Sequence, residues 1–278
     1  MQGRLSAPVG SRIQAFPSQN WRDEFEVAQD CGLTLIEWIV EADQCERNPL
    51  FALPGEVAEI SQRTGVGLIS VCADYFMDLP LIRCQPSERT VRIAMLERLL
   101  RRAGELGVRY ITIPFVDASA IVTDEELDQV ADVLGKCLPL AQACGVQLAL
   151  ETSLDPTRFL RLLKRMSHPY AKVNYDIGNS ASLGYDTVQE IETYGPWIAS
   201  VHVKDRQLGG GTVPLGQGNA DFDATFAALA RIDYHGPLIL QAARIGNEVE
   251  AARRYVNFVM QHLDRHFQSV SHGSRTRK

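Results

Sequence analysis

VQLALETSLDPTRFLRLLKRMSHPYAKVNYD, residues 146–176, contains the pattern that decides the fold. The stretch begins with a short apolar run, continues with a segment of helical period at 156–166 and ends with a second apolar run at 171–176. Asp155 supplies an N-cap, and Pro156 takes the first helical position, so the start of the helix is marked twice. The stretch therefore predicts a strand–helix–strand unit.

The same alternation runs along the rest of the chain. Short apolar, β-branched runs that predict strands lie at 33–39, 66–72, 108–113, 146–151, 171–176, 198–203 and 238–241. Segments of helical period lie at 20–31, 55–64, 87–106, 124–144, 156–166, 186–194, 222–231 and 247–267. Alternating units of this kind predict an α/β fold with a parallel sheet, either doubly wound or closed into a barrel. Periodicity does not choose between the two, although no GxGxxG dinucleotide fingerprint follows the early strands.

Length and composition favour one domain. The chain has 278 residues, of which 45% are hydrophobic and 22% charged, which is ordinary for a globular protein with a sizeable core. We expect a single domain over residues 1–267, because no linker or composition break interrupts them. The end of the chain, QSVSHGSRTRK at 268–278, is typical of a solvated, disordered tail.

Charge and hydropathy exclude several partners and compartments. A formal net charge of −6 and a pI near 5.6 argue against binding to nucleic acid, which requires a basic surface. No apolar run approaches the roughly 20 residues that span a bilayer, and the N-terminus lacks the apolar core of a signal peptide. The six cysteines form no CxxC pair, which indicates reduced thiols. We therefore expect a cytoplasmic protein with no membrane partner.

Polar side chains end four consecutive predicted strands. Glu151 closes LALE, Asp176 closes VNYD, His202 lies in SVHVKD and Gln241 closes LILQ. Any one of them alone is as easily a loop cap or a hydrogen-bond partner. Four together favour a metal, because burying two carboxylates side by side without a cation is costly. The mixed oxygen and nitrogen ligands suit one divalent ion, Mn²⁺, Mg²⁺, Zn²⁺ or Co²⁺.

Several stretches resemble the xylose-isomerase-like barrels, and within them the sugar-phosphate isomerase/epimerase group. The stretches span nearly the whole chain: MQGRL at 1–5, RIQAFP at 12–17, IEWI at 36–39, NPL at 48–50, CADYFM at 72–77, LALET at 148–152, NYDIGN at 174–179, SVHVKD at 200–205 and PLGQGNADF at 214–222. The resemblance implies a (β/α)₈ TIM barrel, one divalent metal ion and proton transfer next to the carbonyl of a sugar or sugar phosphate. It also implies four metal ligands, Glu151, Asp176, His202 and, by position, Gln241.

The chain departs from this family in two places. MQGRL normally follows a first strand, yet here it starts the sequence, so the first strand is expected to be short or truncated. The last ligand is usually Glu, which serves as both ligand and second acid/base, whereas this chain has Gln241. Because a carboxamide does not titrate, Gln241 can bind a metal but cannot return a proton. Glu151 remains available as the base, and epimerisation with two bases is disfavoured.

Further polar residues are expected at the same mouth. Strand alternation turns Lys204 the same way as His202, which makes Lys204 a candidate catalytic acid or donor, with a solvated strand-end lysine as the alternative. Asp205 is expected to orient His202 or to bind a substrate hydroxyl. Glu37, at the end of its strand, is expected to bind substrate, with a helix-facing ion pair as the alternative.

The loops after the last two strands carry arginines and glycines. Arg206 and Arg244 follow strands whose loops often bind phosphate in barrel enzymes, although an exposed loop arginine is an equal alternative. The glycines at 209–211 and the PLGQG loop are candidates for a lid, for a nest of amides that binds an anion, or for a tolerant surface loop.

Three functional classes remain open. The first is a metal-dependent isomerase or epimerase acting on a small sugar or sugar phosphate, and the second is a metal-dependent sugar dehydratase or lyase. The third is a non-catalytic sugar-binding barrel, to which the replacement at Gln241 lends weight. A nuclease of the endonuclease IV kind is disfavoured, because it needs several zinc ions held by histidines and only His202 of the six histidines ends a strand. The sequence does not settle whether the protein is a homo-oligomer.

Overall fold

A computed structural model of the chain describes residues 1–10, 12 and 14–267. The predicted disordered tail at 268–278 lies outside the described residues. The single domain over 1–267 therefore stays a prediction for the chain as a whole.

Within the described residues, seven parallel strands form one sheet, and their order in the sheet is their order along the chain. Its strands are β1 (Leu35–Ile39), β2 (Gly67–Cys72), β3 (Tyr110–Phe115), β4 (Gln147–Thr152), β5 (Ala171–Asp176), β6 (Ile198–Val203) and β9 (Leu238–Leu240). A separate antiparallel hairpin joins β7 (Asp205–Arg206) to β8 (Thr212–Val213). All seven strands predicted from the sequence are confirmed, with ends that differ by at most two residues.

Helices cover the outside of the sheet. Within the described residues they are α1 (Trp21–Asp30), α2 (Pro49–Ala52), α3 (Pro54–Thr64), α4 (Tyr75–Asp78), α5 (Pro86–Glu105), α6 (Asp124–Cys144), α7 (Pro156–Met166), α8 (Ile177–Leu183), α9 (Thr187–Tyr194), α10 (Phe222–Arg231) and α11 (Glu248–His266). Three 3₁₀ turns lie at Cys45–Arg47, Asp117–Ser119 and Gly195–Trp197. The predicted caps are confirmed, since Thr123 accepts from the Glu126 amide and Asp155 accepts from the first turn of α7. The sequence missed α2, α4 and α8, which are too short to show helical periodicity.

The first two residues close the barrel between β9 and β1. The Gln2 amide donates to the Leu240 carbonyl (3.2 Å), and the Glu37 amide donates to the Met1 carbonyl (2.9 Å). Gln2 thereby forms a parallel bridge with Glu37. Met1 and Gln2 thus supply the short first strand that the sequence predicts, and they complete a nearly closed (β/α)₈ barrel.

Buried side chains differ in kind between the outside and the inside of the sheet. Aliphatic and aromatic side chains fill the space between sheet and helices, whereas the strands also bury several polar side chains that hydrogen-bond to one another, among them Glu37, Ser70, Asn174, Ser200 and His202. All six cysteines lie in the described ranges, and none of them forms a disulfide. None of the described helices is long and apolar enough to cross a membrane.

Candidate metal centre

Four strand ends deliver the predicted ligands to the mouth of the barrel. Glu151 lies near the end of β4, Asp176 ends β5, His202 lies near the end of β6, and Gln241 directly follows β9. The register pairs Asp176 with His202 on the neighbouring strand. All four side chains are buried, with exposed fractions of 5% or less. Parallel strands end at one rim, which is why residues far apart in sequence meet there.

The donor atoms of Glu151, Asp176 and His202 converge on one point. Nδ1 of His202 lies 3.2 Å from Oε2 of Glu151 and 3.8 Å from Oδ2 of Asp176. One ligand atom from each of the three residues lies within 4.8 Å of the others. Nδ1 is buried and makes no hydrogen bond of acceptable geometry with any described residue. A buried nitrogen lone pair that faces two carboxylates fits a bound cation.

Glu37 holds the imidazole of His202 from behind. Nε2 of His202 lies 2.9 Å from Oε2 of Glu37, and the Glu37 carboxylate also accepts from Ser70 Oγ and Gln2 Nε2. If Nε2 carries the proton and donates a hydrogen bond to Glu37, the lone pair of Nδ1 is available to a metal. A carboxylate that accepts from the second ring nitrogen is the usual partner of a metal-bound histidine. Glu37 is 1% exposed and does not line the cavity at the mouth. The Glu37 carboxylate is therefore engaged by His202, Ser70 and Gln2 in this structure, and substrate binding by Glu37 stays a prediction.

The buried carboxylates of the site favour a positive charge beside them. Burial opposes protonation of His202, but the carboxylates of Glu37, Asp176 and Glu151 outweigh it and raise the pKa of His202 well above its usual value. Burial would raise the pKa of Asp176, yet Lys204 and His202 bring it well below its usual value. These carboxylates therefore favour the protonated form of His202, and a divalent ion beside them would compensate the same negative charge.

Lys204 and Gln241 complete the rim. The Lys204 ammonium donates to Oδ2 of Asp176 (3.3 Å) and to Oε1 of Gln241 (2.9 Å). Nε2 of Gln241 donates to the amide oxygens of Gln2 (2.9 Å) and Gln14 (3.0 Å). Because an ammonium only donates, this network orients the Gln241 oxygen towards the Lys204 ammonium, which also contacts Oδ2 of Asp176.

Two asparagines that the sequence analysis missed hold the Glu151 carboxylate. Nδ2 of Asn174 donates to one oxygen (3.0 Å) and Nδ2 of Asn179 donates to the other (2.6 Å). Asn174 precedes Asp176 by two residues and therefore lies on the same face of the strand. Strand alternation could thus have predicted its place at the site. Asn179 lies in the NYDIGN stretch but reaches the site only because α8 turns back over the strand end.

A cavity of about 430 Å³ opens above these residues. It is lined by Arg4, Arg12, Gln14, Glu41, Cys72, Asp74, Met77, Asp78, Pro114, Val116, Asp117, Glu151, Asn179, Lys204, Arg206, Gly211, Thr212 and Gln241. The volume suits a small sugar or a sugar phosphate. Arg206 is the predicted arginine that lines it, and its guanidinium donates to Asn179 Oδ1 (2.9 Å) and to the Gly210 carbonyl (2.8 Å).

Asp205 anchors a loop instead of contacting His202 or substrate. Its carboxylate accepts the backbone amides of Gly216 (2.9 Å), Gly218 (2.8 Å) and Ala220 (3.1 Å). The side chain is fully buried and does not line the cavity. Strand alternation turns Asp205 away from His202, and its carboxylate fills the predicted amide nest of the glycine loop, so its role towards His202 or a substrate hydroxyl stays a prediction.

Arg244 also lies outside the cavity. Its guanidinium donates to the carbonyls of Ser6 (2.8 Å) and Gly3 (2.9 Å) and pairs with Glu248 (3.1 Å). These contacts hold the N-terminal segment against the last helix, and substrate binding by Arg244 stays a prediction.

The fold is a parallel barrel that gathers acidic, histidine and amide side chains at the C-terminal ends of its strands, which is where the active sites of barrel enzymes lie. The model of one family, the xylose isomerase-like TIM barrel, matches residues 25–261. The chain belongs to this family, as the sequence resemblance implied.

Individual relatives are similar over almost the whole chain. L-ribulose-5-phosphate 3-epimerase UlaE of Salmonella paratyphi C is 26% identical over 269 residues, which cover 90% of this chain and 93% of the relative. Among solved structures, an L-ribulose 3-epimerase has a TM-score of 0.79 at 19% identity, covering 96% of this chain and 97% of its own. The IOLI protein, solved with a zinc atom, has a TM-score of 0.76 at 18% identity, covering 88% and 94%. At these identities the solved structures support the fold alone.

Proposed function

We propose that this chain is a divalent-metal-dependent isomerase or epimerase that moves a proton next to the carbonyl of a sugar or sugar phosphate. The observation that carries the proposal is the buried Nδ1 of His202, which makes no hydrogen bond with a described residue and faces Glu151 and Asp176. The name of the UlaE relative, an L-ribulose-5-phosphate 3-epimerase, supports the reaction class and the substrate class.

The metal would be held by Glu151, Asp176, His202 and the amide oxygen of Gln241. A divalent ion at this position supplies Lewis acidity, which polarises the substrate carbonyl and makes the neighbouring C–H bond more acidic. The mixture of two carboxylates, one imidazole and one amide suits Mn²⁺, Mg²⁺, Zn²⁺ or Co²⁺.

Glu151 is the base in this proposal. Its two oxygens are held by Asn174 and Asn179, so the carboxylate has a fixed direction at the wall of the cavity. Lys204, which donates to Asp176 and Gln241, is placed to donate a hydrogen bond to a substrate oxygen as well. Arg206 contributes a second cation on the wall, where an anionic substrate group would be favoured.

Solvent-exchange measurements test the proposal. Protein loaded with Mn²⁺ is incubated in D₂O with a panel of ketoses and ketose phosphates, and loss of the proton next to the carbonyl is followed by NMR. We expect exchange with at least one member of the panel. Glu151→Gln should abolish exchange while most of the metal affinity remains, whereas the exposed-residue variant Glu59→Gln should exchange normally. Exchange at the native rate by Glu151→Gln contradicts the assignment of the base.

Gln241 favours a second candidate, a dehydratase or lyase that needs only one base. In such an enzyme Glu151 removes the proton, the C–H electron pair forms a double bond to the β carbon, and the β-hydroxyl leaves as water after taking that proton from Glu151, so no acid is required at position 241. The same incubations distinguish the two, because elimination releases a dehydrated product and isomerisation or epimerisation conserves the composition. Sugar binding without exchange or elimination would instead support a non-catalytic barrel.

A further inference from the structure

Asp74 is a buried carboxyl group on the wall of the same cavity as Glu151. It follows β2, whereas Glu151 lies on β4, and β3 lies between these strands in the sheet. The two carboxyl groups therefore reach the cavity from separate points on the rim. Asp74 is 9% exposed, and its described contacts are with Gln14 and Cys72, which both donate to it (2.6 and 3.0 Å). Among the described residues no cation forms an ion pair with it.

This environment makes Asp74 a group that exchanges protons near neutral pH. Burial raises the pKa of Asp74 to about 6. A general acid or base works best when its pKa lies near the working pH.

Gln14 connects Asp74 to the residue at which the chain departs from its family. The Gln14 oxygen accepts from Nε2 of Gln241 (3.0 Å), and the Gln14 nitrogen donates to Asp74 (2.6 Å). A carboxylate at position 241 could not donate to Gln14, which would then turn its nitrogen towards 241 and its oxygen towards Asp74. The amide at Gln241 thus orients Gln14 to support a carboxylate at position 74.

We propose that Asp74 is the second acid/base group of this site and takes the role that Gln241 cannot perform; the proposal rests on the proposed function. The Glu151 carboxylate removes the proton from the carbon next to the carbonyl, and the C–H electron pair forms the enediolate. Protonated Asp74 delivers its proton to the opposite face of that carbon, which forms the new C–H bond and inverts the centre. Exchange of protons with solvent then returns both carboxyl groups to their starting states.

Isotope exchange separates the two roles. In D₂O the wild-type protein should form the epimer with deuterium at the inverted carbon. Asp74→Asn should lower epimer formation at least 100-fold and still exchange the proton of the recovered substrate, because Glu151 remains. Asp233→Asn, a change at a side chain that is 81% exposed, should match the wild type.

Three results would overturn the assignment of Asp74. The first is that Asp74→Asn epimerises at the wild-type rate. The second is that Asp74→Asn loses proton exchange of the substrate as well as epimerisation. The third is that epimerisation by Asp74→Asn depends on pH in the same way as epimerisation by the wild type. Failure of the wild type to exchange or epimerise any ketose would overturn the proposed function and, with it, this role.

A second inference concerns a cluster on the outer helical layer. His262 and His266 lie one turn apart on α11, and their rings are nearly parallel, with an interplanar angle of 9°. Oδ1 of Asp223 on α10 lies 2.9 Å from Nε2 of His266 and 4.0 Å from Nδ1 of His262. One donor atom from each residue lies within 4.8 Å of the others. Nδ1 of His262 is buried and makes no hydrogen bond with a described residue.

The geometry points to a peripheral site for a divalent transition-metal ion, with zinc as the probe. Two imidazoles and a carboxylate are zinc ligands, and histidines four residues apart on a helix present both rings to one ion. Phe226 stacks on the His262 ring at 5.2 Å and limits its movement. Arg265 donates to the same Asp223 oxygen (2.7 Å), but its side chain is 62% exposed and can turn into solvent.

Zinc titration by calorimetry tests this site on the full chain. The double variant His262→Ala, His266→Ala should bind one equivalent of zinc fewer than the wild type. His235→Ala, a change at a side chain that is 77% exposed, should bind as many equivalents as the wild type. An unchanged number of equivalents in the double variant would overturn the site.

Discussion

His202 meets two different environments through its two ring nitrogens. Nε2 contacts Glu37 (2.9 Å), while Nδ1 faces the carboxylates of Glu151 and Asp176. The ring is fully buried, so its orientation is set by these partners and not by solvent. A substitution at Glu37 should therefore change the affinity for a metal at this site, although Glu37 is not one of the proposed ligands.

We expect Glu37→Gln to lower the affinity for Mn²⁺ by about 10- to 100-fold, the usual cost of altering a residue that orients a metal-bound histidine. The amide keeps an acceptor for Nε2 but removes the charge that makes the imidazole a stronger ligand. Calorimetric titration measures the affinity. Glu190→Gln is the matched control, because Glu190 is equally buried but lies on α9, where it accepts from Tyr175 and Tyr194. Equal losses in both variants would contradict the role of Glu37.

Gln241→Glu should act in opposite directions on metal affinity and on stability. A third formal negative charge beside Glu151 and Asp176 should raise the affinity for Mn²⁺. The new carboxylate also faces the oxygens of Gln2 and Gln14, which now accept from the amide, so the free energy of unfolding without metal should fall by about 1–2 kcal/mol. Calorimetry and urea unfolding with a chelator measure the two effects. Unchanged affinity would show that residue 241 does not bind the metal.

Asp74 should make the metal-free protein less stable at neutral pH than at acid pH. Its pKa is raised from 3.8 to about 6 by burial, so the folded state binds this proton more tightly than the unfolded state. This contribution is fully present below pH 3.8 and is lost as the pH rises through 6. Asp74→Asn should therefore be more stable than the wild type at pH 7.5, by at most about 3 kcal/mol, and this advantage should disappear near pH 4. Urea unfolding at the two pH values checks this, and a pH-independent difference would contradict it.

At the scale of elements, strand alternation accounts for what the sequence could predict. It places His202 and Lys204 on one face, and the structure brings Lys204 into contact with Asp176 and Gln241. The same rule turns Asp205 to the other face, yet its position beside Lys204 suggested a role at the mouth. No periodic signal exists for a contact such as the one between Gln14 and Asp74, because it depends on how a loop folds over the rim. Supporting residues were therefore harder to predict than the strand ends.

The start of α8 leaves room for Lys204 only because residue 178 is glycine. A β-carbon at Gly178 would lie 2.7 Å from Cγ of Lys204, a distance that forces one of the two to move. We expect Gly178→Ala to lower the free energy of unfolding by about 1–3 kcal/mol through this overlap.

The double variant Gly178→Ala, Lys204→Ala tests whether the overlap is the cause. Lys204→Ala removes the nearest contact but keeps the Lys204 Cβ and carbonyl carbon, each 3.0 Å from the new β-carbon, so Gly178→Ala should cost less in the Lys204→Ala background without becoming neutral. Urea unfolding of the four proteins of this cycle gives the coupling directly. If Gly178→Ala lowered the free energy of unfolding equally in both backgrounds, the loss would come from α8 and not from the overlap with Lys204.

Over the whole molecule, the candidate site joins strands that are far apart along the chain. Glu151, Asp176, His202 and Gln241 come from β4, β5, β6 and the end of β9, and β9 in turn pairs with the short segment that closes the barrel. One bound ion would therefore link the ends of four strands, one of which pairs with the segment that closes the barrel. Because the ion would bind the folded state and not the unfolded state, it would stabilise the folded state by mass action.

We therefore expect Mn²⁺ at 100 times its dissociation constant to raise the free energy of unfolding by about 2.7 kcal/mol and to raise Tm by several degrees, an effect that a chelator should reverse. Thermal unfolding of the double variant His262→Ala, His266→Ala should show the same shift, because the outer cluster lies on α10 and α11 and contributes no ligand to the mouth. His202→Asn should lose it, since its ring supplies the buried nitrogen between the two carboxylates. If the Mn²⁺-dependent rise in Tm persisted in His202→Asn and disappeared in the double variant, the stabilising metal would be bound by the outer cluster and not at the barrel mouth. That result would contradict the proposed metal-dependent chemistry.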